Sequence, residues 1–505
     1  MKNHFLQTCL IVLSIGFLSS SNHSVNAQVP VFNLKDYKNP TYRYQMLETG
    51  FNLNSAYSSN NSKLFDTTQW NRAQSSRFGS DFNADYTCNS NSPTYQGYQA
   101  LSIGLATDFS FQTFNPTYDY RNQHTTNNLS LQGRSNNRFY FRSPYYFEIS
   151  PSAALSLQTD FNKMRFPEDL NETTVETKVG NRLASAEAGL GLSVGKGRIE
   201  QVQDAQLAFY ILDDLVKHNR MKATLSNDDV FELARLITEL KTTRFFDSRI
   251  RKIREITAID SLLEKRGLKG TADAAYYTTI NDNWLYSNNP ARLSGYSVYA
   301  MVRPSVYYSS SLHKADTLKP SDIKTRSRTI KSAYGAQGTI GITYEKPVCM
   351  QWQHSAWANI AYLYDISENI SQVLLPDELD KVLNYKDTEP FFFSRIGCSA
   401  GYYPTTRTWM VASINSIVQY SDRDRESDVI SPYTGKTNFN FLVSASFSSY
   451  HYLSERLRLE LHLGTNFQYM KDESGTSPDP LADNTESWTR YWSGSLNAKL
   501  TYSLF

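Results

Sequence analysis

Beyond its first 27 positions this 505-residue sequence holds no run of about 18 apolar residues, which excludes a transmembrane helix. Charge imbalance is missing too. With 51 basic against 49 acidic side chains there is no cationic surplus to suit nucleic acid. Cysteine is scarce, and of the four only Cys88, Cys349 and Cys398 follow residue 27. An odd number of thiols excludes complete internal pairing in an oxidising compartment, and no C-x-x-C or Cys/His spacing suits zinc. His124, His313, His354, His451 and His462 are scattered, with none in an H-E-x-x-H spacing. No catalytic residue, metal ligand or cofactor site is therefore expected. What is plentiful is aromatic: 34 Tyr and 27 Phe, a bias that suits β-strands and interfacial girdles.

The N-terminus carries Lys2, an apolar stretch from Cys9 to Leu18, a Ser-rich segment and Val25-Asn26-Ala27. This pattern predicts a secretory signal over 1–27, cleaved near Ala27. Removing its single basic residue leaves a net charge near +1, from 50 basic and 49 acidic groups. Cys9 lies inside the apolar stretch and Gln28, not Cys, stands directly after the cleavage site, so a lipid anchor is not expected.

Periodicity organises the rest. From Trp488 the even positions read Trp488, Arg490, Trp492, Gly494, Leu496, Ala498, Leu500, Tyr502, Leu504, against odd positions that are mostly Ser, Thr, Asn or Lys. Period 2 with one apolar face is the pattern of a strand with lipid on one side and water on the other. The same alternation marks Leu101 to Phe111, Ala184 to Val194, Tyr296 to Tyr308 and, most clearly, Arg456 to Leu463. Residue 28 to 43 reads as a lead-in, 44–199 as strands one to six and 291–505 as strands seven to fourteen.

Between them, over 200–290, period 2 gives way to helical spacing. Leu207, Ile211, Leu212 and Leu215 form one stripe and Val230, Leu233, Ala234, Ile237 and Leu240 a second. Ser226 with Asp229 is a capping-box-like start. Ile250, Ile253, Ile256, Ile259 and Leu263 form a third stripe, stopped by Gly267, and Thr271 to about Leu285 adds a fourth helix. Such stripes need one another or a partner, so a compact helical insert is expected.

Signal, strands and an amphipathic terminal strand ending on Phe505 resemble outer-membrane β-barrel proteins of Gram-negative bacteria. Gln28 after the cleavage site and the helical insert are similar to barrels of Bacteroidota-type bacteria. The chain departs from the family pattern in one respect: Tyr502 is in phase with Leu504 and not with Phe505. The resemblance implies a transmembrane antiparallel β-barrel of about 14 strands with an α-helical insert between strands six and seven. It also implies outer-membrane lipid around the wall, recognition of the last strand by the barrel-assembly machinery, and the insert in the periplasm.

Residues expected to line the lumen by parity include Glu148, Glu187, Arg303, Lys331, Arg395, Arg456, Arg458, Glu460 and Lys499. Their mixed signs suit either a diffusion pore or ion pairs filling a closed barrel. Lys241, Arg244, Arg249, Arg251, Lys252 and Arg254, beside Phe245 and Phe246, form a candidate docking patch for lipid headgroups or a periplasmic protein partner. The expected function is a porin- or channel-like, non-enzymatic barrel passing small solutes. The alternatives are an assembly or export component whose insert docks a partner, and an outer-membrane enzyme acting on lipid, which would need a Ser/His pair at the lipid face or lumen.

Overall fold

The computed structural model describes residues 32–63, 70–115, 120–142, 144–167, 174–221, 225–243, 248–286, 292–318, 323–374, 381–427, 436–454, 457–474 and 485–502. The signal segment, Phe505, Phe245, Phe246, Arg244, Arg456 and the side chain of Arg249 lie outside the described residues.

Fourteen long strands and one short one form a single antiparallel sheet. They are β1 (Tyr42–Lys63), β2 (Trp70–Ser92), β3 (Tyr95–Asn115), β4 (Tyr120–Arg142), β5 (Tyr145–Pro167), β6 (Thr174–Lys196), the short β7 (Ile199–Gln201), β8 (Leu293–Leu318), β9 (Ile323–Pro347), β10 (Trp352–Leu374), β11 (Lys381–Thr405), β12 (Thr408–Ser427), β13 (Lys436–Tyr452), β14 (Leu457–Ser474) and β15 (Thr485–Tyr502). Each long strand pairs with its sequence neighbour, and β7 alone leaves the path to pair with β8. This is the meander expected of an antiparallel membrane barrel.

Register turns the period-2 pattern into one continuous apolar face. Phe82 lies opposite Leu105, Leu105 opposite Leu129, Leu129 opposite Leu157 and Leu157 opposite Ala184. Farther round, Ala300 meets Ile340 and Ile340 meets Ile360, while Leu463 faces Leu496. These side chains stay uncovered by protein: Ile340 is 68% and Trp492 72% exposed. So much apolar surface in contact with water would be aggregation-prone, whereas lipid is the solvent that suits it.

The strands are longer than the sequence suggested. They run from 17 residues in β13 to 26 in β8, where a bilayer needs about 9–11. The ladder runs on past the apolar alternation: Ser58 to Lys63 are in register with Ser75 to Trp70, and Ser367 to Val373 with Asp387 to Lys381. The cause is physical. Past the bilayer both faces of the wall meet water, so apolar alternation fades while the ladder continues. The asymmetry between ends persists, with links of four to ten residues at one end and two to four at the other, apart from the insert.

The insert holds four helices, α1 (Gln203–Lys217), α2 (Asn227–Thr242), α3 (Ser248–Lys265) and α4 (Ala274–Leu285). Ser226 Oγ accepts from the Asp229 amide at 3.2 Å and Asp229 Oδ2 accepts from the Ser226 amide at 3.0 Å, completing the capping box. Gly267 ends α3 with φ of 67°, the left-handed stop that glycine adopts without strain. Leu212, Leu215, Leu233, Ile237, Ile259, Leu263 and Tyr276 are fully buried in a common core. The third stripe needs a correction: Ile253 is 62% exposed, while Ile259 and Leu263 are buried. Spacing by three turns a helix position back about 60° each step, so a long i+3 row walks off the buried face.

The lead-in is also more than a lead-in. Phe32, Leu34 and Tyr37 belong to the insert core, with the Phe32 ring 5.2 Å from Phe231 and the Tyr37 ring 5.9 Å from it. Segment and insert, some 200 residues apart in sequence, thus form one unit. Cys88 shares the parity of Phe82 and Tyr86 but is covered by its neighbours. It is 3% exposed and hydrogen-bonded to Arg43.

Candidate functional site

The insert meets the wall at the end with the short links, and the glycines flanking it explain how. At Gly197 and Gly295 φ is 112° and 127°, and a Cβ on either would collide with a backbone carbonyl of the other side. Glycine lets the chain leave β6 there and form β7 as a neck closed against the first residues of β8. The Val202 amide donates to the Arg292 carbonyl at 2.7 Å, tying the two ends of the insert together.

Two arginines hold this neck. Arg198 donates to the carbonyls of Pro93 (3.1 Å) and Ser92 (2.9 Å) and to Asn91 Oδ1 (2.9 Å), all at the β2–β3 turn. Its charge is balanced by Glu200 at 2.6 Å. Arg292 is fully buried and donates to the carbonyls of Cys349 (3.2 Å), Trp352 (3.0 Å) and Met350 and to Gln353 Oε1 (3.2 Å), with Tyr403 under its guanidinium. Burial holds its pKa below the ordinary arginine value, and the turn carbonyls supply the negative ends that keep the cation there.

Further contacts continue round the mouth. Tyr210 of α1 donates to the Tyr403 carbonyl at 2.5 Å, and burial pushes its hydroxyl up to about 12. Thr406 donates to Asn283 Oδ1 at 3.1 Å, Arg407 pairs with Asp282, and the Tyr286 and Tyr452 rings lie 5.0 Å apart. On the other side α2 lies against β1. From β1 to β13 is eleven strand intervals, roughly 50 Å in a flat sheet, yet both touch an insert whose longer helices measure about 22–27 Å. The wall must therefore curl round the insert. Inward-facing aromatic pairs thicken this floor, with Trp409 stacked 4.7 Å from Tyr450 and Tyr140 5.7 Å from Tyr146.

The described lumen candidates fall on the face opposite the apolar one, and ion pairs neutralise Glu148, Arg458 and Glu460. Arg138 pairs with Glu148 at 2.8 Å, and Arg458 donates to Glu460 at 2.7 Å, with Lys499 opposite Glu460 in register. Arg303 donates to Ser152 at 2.8 Å and Arg395 to Asn415 at 2.9 Å. Glu187 lies opposite Tyr307, and Lys331 opposite Asn369. They are spread over the wall and not gathered into a one-signed ring. Two of the docking-patch residues are paired, Lys241 with Asp204 at 2.6 Å and Arg251 with Glu255 at 2.6 Å; Lys252 is half-buried and Arg254 exposed on α3. A Ser/His pair does meet in the lumen, Ser448 Oγ lying 3.0 Å from His462 Nδ1. Glu460 is 3.7 Å from the other ring nitrogen, beyond hydrogen-bond reach, and strand amides beside Ser448 are committed to the ladder.

Sequence reasoning missed Arg198, Arg292, Tyr210 and the Phe32–Tyr37 anchor. The glycines at 197 and 295 were a visible signal for the neck. Nothing periodic marks Arg292.

No protein-family model matches the chain, and no curated protein matches it. Among solved structures, the chain aligns with the beta domain of the Bordetella autotransporter BrkA at 9% identity and a TM-score of 0.22, covering 90% of this chain and 99% of that one. It aligns with the toluene transporter TodX of Pseudomonas putida at 9% identity and a TM-score of 0.27, covering 90% and 93%.

Proposed function

We propose that this chain is an outer-membrane barrel that passes small solutes under the control of its helical insert, a plug seated in the periplasmic mouth and not a free appendage. One observation carries the reading. The insert has its own apolar core, while its seam with the wall is mainly hydrogen bonds, ion pairs and ring contacts, with Met350 of the β9–β10 turn also packed against that core. An interface of that kind can part without exposing a core, which is the behaviour of a movable domain and not of a fixed one. The apolar outer face supplies the membrane location, and the short-link end is the periplasmic one by the usual asymmetry of such barrels.

Planar-bilayer conductance tests it. The intact protein is expected to conduct rarely and in bursts, and a chain lacking 200–292 to conduct steadily. Equal, steady conductance from both would overturn the plug. A second reading, an assembly or export component, draws on Ile253 and Ala258, which with Thr257 and Arg254 make a small apolar patch on α3. It predicts a partner lost on Ile253→Asp with conductance unchanged.

A further inference from the structure

The plug does not fill the mouth evenly. Between the neck strand β7 and the inner face of β1–β5 it leaves a cavity of about 250 Å³, floored by Glu200 and Gln201 and walled by lumen-facing side chains. That is room for a sugar-sized solute. Its walls are unusual for a ligand pocket, which is commonly apolar. Asn89 and Asn136 present amides, Gln96 an amide already bonded to Asn91, Ile199 and Tyr140, Tyr42 a phenol ring, and the charges come as pairs: Arg138 with Glu148 at 2.8 Å and Glu200 with Arg198 beside the recess at 2.6 Å.

We infer that this recess binds a small neutral polyhydroxylated solute, a monosaccharide-sized polyol, held at the foot of the lumen beside the plug. Each hydroxyl is both donor and acceptor, so a polyol can donate to the buried, unmatched Asn39 Oδ1 and Glu200 Oε2 and bond the Asn89 and Asn136 amides. A charged ligand of the same size gains nothing, because each ionic group already has its counter-charge and desolvating a further one is unfavourable. The inference deepens the transport reading and rests on it for the route that brings solute there, but binding is measurable by itself.

Full-length protein in detergent, its fold checked by heat-modifiable migration, is titrated calorimetrically with glucose, gluconate and glucosamine. Glucose is expected to bind measurably, and both charged analogues about tenfold more weakly. Glu148→Gln leaves Arg138 without its counter-charge and should swing the preference toward gluconate by tenfold or more. Asn136→Leu, which keeps the ion pair, should weaken glucose about tenfold and serves if Glu148→Gln does not fold. No glucose binding by the wild type, or a ranking unmoved by Glu148→Gln, overturns the site. Swelling of liposomes carrying the insert-deleted chain, with the same three solutes, reads the transport proposal separately. Binding without swelling sinks passage and keeps the site, whereas swelling without binding does the reverse.

Discussion

The insert and the wall reach stability by opposite means. The insert buries leucines, isoleucines and aromatic rings against one another, with Ile211, Leu212 and Leu233 fully covered. The wall exposes its largest apolar side chains and is held by its ladders, every long strand being paired along nearly its full length. In water the first arrangement is the ordinary one. In lipid, backbone groups must be satisfied internally while apolar side chains are free to face the solvent, which is the second. One chain therefore folds under two solvents, and the neck at Gly197 and Gly295 is where it changes from one to the other.

Substitutions that respect one solvent and offend the other should separate the two regions. Ile237→Asp puts a carboxylate into the insert core and should cost about 4–5 kcal/mol, enough to unfold the insert alone. Limited proteolysis should cut between residues 203 and 285 while heat-modifiable migration of the wall is retained; loss of both would mean the two fold as one. Arg292→Leu leaves the 349–352 turn carbonyls without their donor, at about 3 kcal/mol, and should release the insert without unfolding it. Hydrogen exchange should rise in that turn and in β7, and protection unchanged there would deny Arg292 its role as a latch.

Ile340→Arg addresses the other solvent. A guanidinium on the lipid face should cost about 2 kcal/mol or more in refolding into vesicles, with proteolytic resistance of the insert unaltered. An unaffected refolding midpoint would mean that this face does not meet lipid. The smallest effect concerns pH. Tyr210 donates to the wall only while protonated, and burial raises its hydroxyl from 10.0 to about 12. Its contribution, about 1 kcal/mol, is fully present below pH 10 and is lost as pH climbs through 12. Tyr210→Phe should remove that part of the alkaline loosening of the insert, read by hydrogen exchange in α1. An identical alkaline profile would assign the loosening to other groups.

Wall and helices were legible because each obeys a local rule. Alternation put Leu101, Ile103 and Leu105 on one face before any partner strand was known, and spacing by three and four put Leu207, Ile211 and Leu215 on another. The strand ends were not legible, because pairing outlasts the apolar signal once both faces are wet. The basic cluster was legible only as charge: composition shows the cations, but only the fold shows that Lys241 and Arg251 already have Asp204 and Glu255.

By itself, then, the sequence determined the two periodicities, and with them a membrane wall of about fourteen strands and a helical insert after the sixth. Those depend on side chains near one another in sequence. Only the tertiary structure decided that Phe32 to Tyr37 completes the insert core, that Arg198 and Arg292 latch the insert across the mouth, and that a polar recess remains beside it. Each of these joins residues tens to hundreds of positions apart, through packing or directional hydrogen bonds whose partners no periodic pattern can specify.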